Sequence, residues 1–146
     1  MLKDLIKEDL IFIDQAFDNN VDLFNHIQDN ASDYVTELFA TKLAEREAQF
    51  PTGLELTGAN VAIPHTDPEY VDKQFIALYT LEDKVSFKRM DDPSNETEVS
   101  VVFVLGLNEP HAQLEVLQEL MGKLQDESFI NQLLNTKNKN EIIKQF

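Results

Sequence analysis

"VSVVFVLGL", residues 99 to 107, decides the architecture. The run is almost wholly apolar, rich in β-branched side chains, and shows no alternation with polar residues. An alternating strand keeps one wet face, whereas an unbroken apolar run marks a central strand buried on both faces. A strand of that kind needs helices above and below its sheet, and the rest of the chain has to supply them.

Working outward, "LIFI" (10–13) reads as a short buried strand between charges. Val21, Phe24 and Ile27 then recur at helical spacing, with Asp18 or Asn19 opening the helix. Apolar residues at 35, 38, 39 and 43 predict a second helix from Asp33 to Ala48, ended by "FPTG" (50–53). Strand-like segments follow at 54–56, 61–65 and 74–81, and "EDK" turns the chain into "VSFK" (85–88), which predicts a hairpin. Residues 89–98 read as a polar loop leading into the central strand. After "NEP", Leu114, Leu117, Leu120, Met121 and Leu124 line one helical face, with Asn108 as its cap. Shorter helices near 127–134 and 139–146 finish the chain. The order predicts one α/β domain over 1–146 in three layers: a mixed β-sheet of about five strands, flanked by helices on both faces. No repeat, low-complexity tract or linker marks a second domain.

Acidic residues number 27 and basic ones 12, giving a formal charge of −15. A field of that sign repels phosphate backbones and anionic lipid, so neither nucleic acid nor a membrane surface is expected as partner. With no cysteine, disulfides, thiolate metal sites and cysteine nucleophiles are excluded. The charged N-terminus has no signal-peptide core and no apolar run suits a membrane span, so a cytoplasmic protein without membrane insertion is expected.

Motifs for nucleotide, metal or serine chemistry are missing, and four glycines cannot build a phosphate cradle. No cofactor and no metal site are expected. Asp91 and Asp92 sit in a polar loop without a histidine and read as a solvated turn. That leaves three histidines. His26 lies in an amphipathic helix and reads as structural, and His111 reads as an exposed residue of a helix start. His65 ends "VAIPH" (61–65), behind a proline that fixes one backbone dihedral, at a strand tip of the kind where open α/β sheets place their sites. These facts alone leave it open between a functional and a structural imidazole. A neutral imidazole offers one ring nitrogen as nucleophile while a hydrogen bond at the other fixes the tautomer, which suits it to carry a phosphoryl group. Such transfer calls for a nearby arginine and hydroxyls, and Arg46, Thr52 and Thr66 are available.

"EREAQFPTGLELTGANVAIPHTD" (45–67) resembles the signature of fructose/mannitol-type enzyme IIA domains of the bacterial sugar phosphotransferase system. That pattern runs arginine-glutamate, threonine-glycine, then "AIPH" ending on the phosphorylated histidine. The order of elements matches nearly end to end, and "REAQFPTG", "KVSFKRMDD" and "QLEVLQELMGKLQ" look closest to galactitol-specific members. Two positions depart from the pattern. Thr66 follows the histidine where glycine or alanine is common. Many members carry a second active-site histidine before Leu-x-x-Leu; here Gln113 stands there, with His111 two residues upstream.

The resemblance implies a phosphotransferase that works through a phosphohistidine. His65 would accept phosphate from the phosphocarrier HPr and pass it to a cysteine of a cognate enzyme IIB. From there it would serve uptake of galactitol or a related polyol or sugar through the membrane enzyme IIC. Arg46 would neutralise the phosphoryl oxygens, Thr66 would lie beside them, and either His111 or Gln113 would support the imidazole. A missing cysteine agrees with a separate IIA chain, and an apolar patch of Phe50, Leu54 and Leu107 is expected around the histidine. The alternative is a regulatory nitrogen-type IIA paralogue that acts by binding proteins.

Overall fold

The computed structural model describes residues 2–146. In chain order its elements are α1 (Leu2–Leu5), β1 (Ile6–Gln15), α2 (Asn20–Asn30), α3 (Phe39–Gln49), β2 (Gly53–Leu54) and β3 (Asn60–Ala62). Then follow β4 (Phe75–Lys88), β5 (Glu96–Gly106), α4 (Pro110–Leu124), α5 (Glu127–Asn135) and α6 (Lys139–Ile143). The strands form one five-stranded sheet of order β1-β4-β5-β3-β2, with β5 in the middle as its composition demands. β1 runs parallel to β4, β4 antiparallel to β5, β3 parallel to β5, and β2 antiparallel to β3.

The pleat of β5 divides its apolar side chains between two cores. Val102 and Val104 join Phe24, Ile27, Phe39 and Leu43 of α2 and α3 on one face. Val101, Phe103 and Leu105 join Val116, Leu120, Phe129 and Leu133 of α4 and α5 on the other. Both faces are therefore dry, and the expected single domain with helices on each side of a mixed sheet is what forms.

Several local expectations give way to tertiary pairing. No hairpin forms at "EDK": β4 continues to Lys88, because β5 pairs with it on both sides of that stretch. Register passes from Thr80–Val101 to Val85–Val99, so the surplus residues 81–84 leave as a bulge while pairing resumes. The real hairpin loop lies at residues 89–95. The helix expected from Asp33 starts only at Phe39, since Val35 bridges Val71, Thr36 N–H donates to Tyr70 O, and Asp72 N–H donates to Tyr34 O. Those bonds tie residues 34–36 to the segment 70–72, and Gln28 of α2 supplies the missing cap by accepting from Ala40 N–H at 2.7 Å. The strand expected at 54–56 shrinks to Gly53–Leu54, and that at 61–65 to Asn60–Ala62. On α4 the inward stripe is Ala112, Val116, Leu120 and Leu124, while Leu114 points outward. Asn108 does not cap this helix; its amide donates instead to the carbonyls of Val71 and Asp72. The short α1 was not expected at all.

Gly106 closes β5 opposite Phe75, and a Cβ there would meet the Phe75 ring at 2.1 Å. Gly106→Ala should therefore lower the unfolding free energy by about 1–3 kcal/mol, the usual cost of overpacking a core. Gly122→Ala on α4, where nothing lies within 4 Å, should be neutral or stabilising. Chemical denaturation of the two variants checks this, and equal midpoints would show that the Phe75 contact does not constrain the strand.

Candidate functional site

His65 stands where the β3 ladder runs out. Beyond Ala62, Ile63 N–H donates to Thr52 O at 3.3 Å, and Pro64 O accepts from Leu105 N–H at 3.0 Å. Pro64 has no N–H to continue the ladder, so His65 is left as an isolated parallel bridge to Leu105. Its Nδ1 lies 2.9 Å from Ile63 O. A carbonyl only accepts, so Nδ1 carries the proton and Nε2 keeps a free lone pair. Burial, the largest influence, lowers the pKa of this half-buried ring below the usual 6.5. The bond to Ile63 pulls it up, the positive Arg46 pushes it down, and Asp67 raises it. The balance favours a neutral imidazole.

Arg46 lies in the last turn of α3, where the negative end of the helix dipole favours a cation. Its carbonyl accepts from Phe50 N–H, closing the helix. The guanidinium lies 5.4 Å over the Phe50 ring and donates from Nη1 to Asp67 Oδ1 at 3.1 Å. With Asp67 62% exposed, this ion pair adds little stability and can exchange for a better anion. Arg46, Phe50, Asp67 and Tyr70 line a shallow hollow of about 160 Å³.

Thr66 is buried, and its hydroxyl donates to Asp67 O at 3.0 Å, so it fastens the loop after the histidine. His111 is 86% exposed and its Nε2 lies 3.3 Å from Glu115 Oε1 within α4. Gln113 is half-buried in the first turn of the same helix. No hydrogen bond ties either to His65. The structure thus brings together His65, Arg46 and the loop of Thr66, and leaves His111 turned along its own helix. Of the expected apolar patch, Phe50 is 56% exposed, Leu54 is partly buried, and Leu107 at 2% belongs to the core. Leu107 cannot reach a surface, because the apolar run of β5 carries it inward. Away from the site, His26 Nδ1 lies 2.6 Å from the Tyr79 hydroxyl amid Phe12 and Phe17. Asp91 holds Arg89 and Asp92 accepts from Ser94 and Asn95. Two residues of the site had no role in the sequence reading. Asp67 carries no signal in the sequence beyond its place after Thr66. Glu47, visible only as the glutamate of "RE", is buried and takes both donors of Thr52, N–H and Oγ1–H, at 2.7 Å each.

Burial pushes the Glu47 carboxyl up to about 7, against the opposing pull of the Thr52 bonds. The folded value lies above the ordinary 4.5, so folding favours the protonated form. That contribution is complete below the ordinary value and is lost as pH rises through about 7. Its size is at most about 3 kcal/mol. Glu47→Gln should remove this fall in stability between the two values, as read from denaturation curves across that range. Parallel curves for wild type and variant would place the proton elsewhere.

Among the described residues no helix is long and apolar enough to cross a membrane. The sequence profile of the family described as "Phosphoenolpyruvate-dependent sugar phosphotransferase system, EIIA 2" matches residues 4–146. The chain is 31% identical over 131 residues to the galactitol-specific EIIA component of the PTS system of Escherichia coli K12, covering 88% of this chain and 83% of that one. In fold it resembles enzyme IIA of the mannitol system of Escherichia coli, solved in complex with phosphorylated enzyme IIB (TM-score 0.74, 20% identity, 96% and 95% of the two chains). It is also similar to the nitrogen regulatory protein IIA-Ntr of Neisseria meningitidis (TM-score 0.76, 25% identity, 98% and 97% covered). With nearly its whole length matched, this chain belongs to the EIIA 2 family of the phosphoenolpyruvate-dependent sugar phosphotransferase system.

Proposed function

We propose that this phosphoryl carrier bears its phosphoryl group on Nε2 of His65. The observation that supports the assignment best is the bond from Nδ1 to Ile63 O, which leaves Nε2 unprotonated on a ring that Arg46 is near enough to act upon. The donor is phospho-HPr: the Nε2 lone pair attacks phosphorus, the new N–P bond forms, and the bond to the HPr imidazole breaks. Nδ1 keeps its proton throughout. In the second step a cysteine thiolate of enzyme IIB attacks the same phosphorus and His65 leaves as the neutral imidazole. Enzyme IIB then passes the phosphoryl group to the sugar taken up through the membrane enzyme IIC, and the carrier works in the cytoplasm.

Arg46 neutralises the phosphoryl oxygens in both steps, exchanging Asp67 for the incoming dianion. Thr66 holds the loop and, with its backbone, borders the phosphoryl site. Of the two α4 candidates Gln113 is assigned to support His65, since it is half-buried whereas His111 is 86% exposed. The substrate is galactitol or a related polyol, on the strength of the galactitol-specific relative. The 31% identity to that relative exceeds the 25% to IIA-Ntr, which favours transport over a regulatory role. Deleting the gene and testing growth on galactitol separates the two, because a regulator would not block uptake of one polyol.

Incubation with phosphoenolpyruvate, enzyme I and HPr should add one phosphoryl group by intact mass, and His65→Ala should abolish it without unfolding. Acid-labile phosphate on His65→Ala would sink the assignment. Arg46→Lys keeps the charge but loses two-pronged geometry, and should slow transfer to enzyme IIB by at least about tenfold with little change in thermal stability.

The depressed pKa of His65 gives a further expectation. The imidazole stays neutral as pH falls through the ordinary 6.5, so acceptance from phospho-HPr should hold its rate there and decline only at lower pH. A half-maximal rate at or above the ordinary value, in single-turnover measurements, would contradict it.

A further inference from the structure

We propose that Glu47 is a positioning residue for phosphoryl transfer, holding Arg46 and His65 in one frame through Thr52; this rests on His65 being the phosphoryl acceptor. Glu47 is 6% exposed, and among the described residues no cation pairs with it. Burying a carboxyl costs desolvation energy that an apolar side chain of similar size would avoid. Closing α3 does not require it either, since Phe50 N–H already finds Arg46 O at 2.6 Å. Its two oxygens instead grip one residue at two points, which fixes both the backbone and the rotamer of Thr52.

From Thr52 the path to the imidazole is short and made of backbone. Thr52 O accepts from Ile63 N–H at 3.3 Å, and Ile63 O accepts from His65 Nδ1 at 2.9 Å. Arg46 is the residue preceding Glu47 on the same helical turn. The phosphoryl-bearing nitrogen and the guanidinium that meets its oxygens are thus both referenced to one carboxyl. Displacements of about 1 Å at a reacting centre can cost a hundredfold in rate, so a fixed frame between these two groups bears directly on transfer.

The test compares Glu47→Leu, which removes both bonds, and Thr52→Val, which removes the hydroxyl bond and leaves the backbone one, with Glu47→Gln and Thr52→Ser, which can bond at both points. Readouts are single-turnover transfer from phospho-HPr across HPr concentrations, ¹⁵N spectra of the His65 ring, and the folded fraction by circular dichroism. In Glu47→Leu the saturating rate should fall about tenfold, and in Thr52→Val by a smaller factor, while the half-saturating HPr concentration stays put. The ring should pass from a single Nδ1–H tautomer to a mixture, and the double variant should be no slower than Glu47→Leu alone. Glu47→Gln and Thr52→Ser should restore most of the rate and the single tautomer. If rate loss only follows the folded fraction and the tautomer is unmoved, or if the broken-link variants transfer at full rate, the proposal is overturned. An unlabelled wild type would instead defeat the assignment of His65, so the two failures are distinct. Should Glu47→Leu not fold, Thr52→Val alone decides.

Discussion

From Val99 to Gly106 β5 is buried on both faces, and the polar groups of its backbone there must be paired. β4 satisfies one side along ten register pairs. On the other side β3 is only three residues long, so the end of β5 would keep unpaired N–H groups. Pro64 resolves this by offering a carbonyl to Leu105 N–H while having no N–H of its own to extend the pairing. The same bond pins residues 63–65 against the sheet and stops the strand one residue before the imidazole. The site is thus a consequence of how the central strand is kept dry, and Leu105 serves both core and site.

The second constraint is electrostatic. The chain has two arginines, and both are tied to carboxylates. Arg89 is held by three contacts, two to Asp91 and one to Glu55 at 3.2 Å. That guanidinium is committed and its neighbours have no reason to release it. Arg46 has a single bond to a mostly exposed Asp67 and rests on an aromatic ring, which orients the fork without occupying its donors. A phosphoryl dianion offers more charge and more oxygens than one solvated carboxylate, so only Arg46 can change partner at small cost. Local environment, not residue type, separates the structural arginine from the functional one.

These distinctions bound what could be read in the residues alone. The run 99–107 and the helices around it were legible because desolvation writes itself into composition. His65 at a strand tip was legible because proline limits the backbone in a known way. The failures are non-local. Residues 33–38 have helical spacing, yet Val71 and Tyr70, far along the chain, claim their backbone as a bridge. "EDK" reads as a turn, yet an uninterrupted partner turns it into a bulge. Glu47 could be quoted as part of a pattern, but its burial and its grip on Thr52 depend on α3 packing beside β2. A glutamate on an amphipathic helix ordinarily faces water, and nothing in its neighbours announces the exception.

On either side of the imidazole the chain is bonded to its surroundings. Upstream, Ile63 and Pro64 are bonded to Thr52 and Leu105. Downstream, Thr66 ties to Asp67 O, a 3-10 turn spans Pro68–Tyr70, and Val71 is bridged to Val35. Rotation of the ring is the freedom that remains, and the bond to Ile63 removes it. For the carrier role proposed above this rigidity has a specific use. One nitrogen has to meet a donor and then an acceptor, two different proteins, and each encounter would otherwise lose the entropy of ordering that ring and loop. A site ordered in advance by the fold spares both encounters that loss, which suits short-lived complexes in which the group must leave as readily as it arrived.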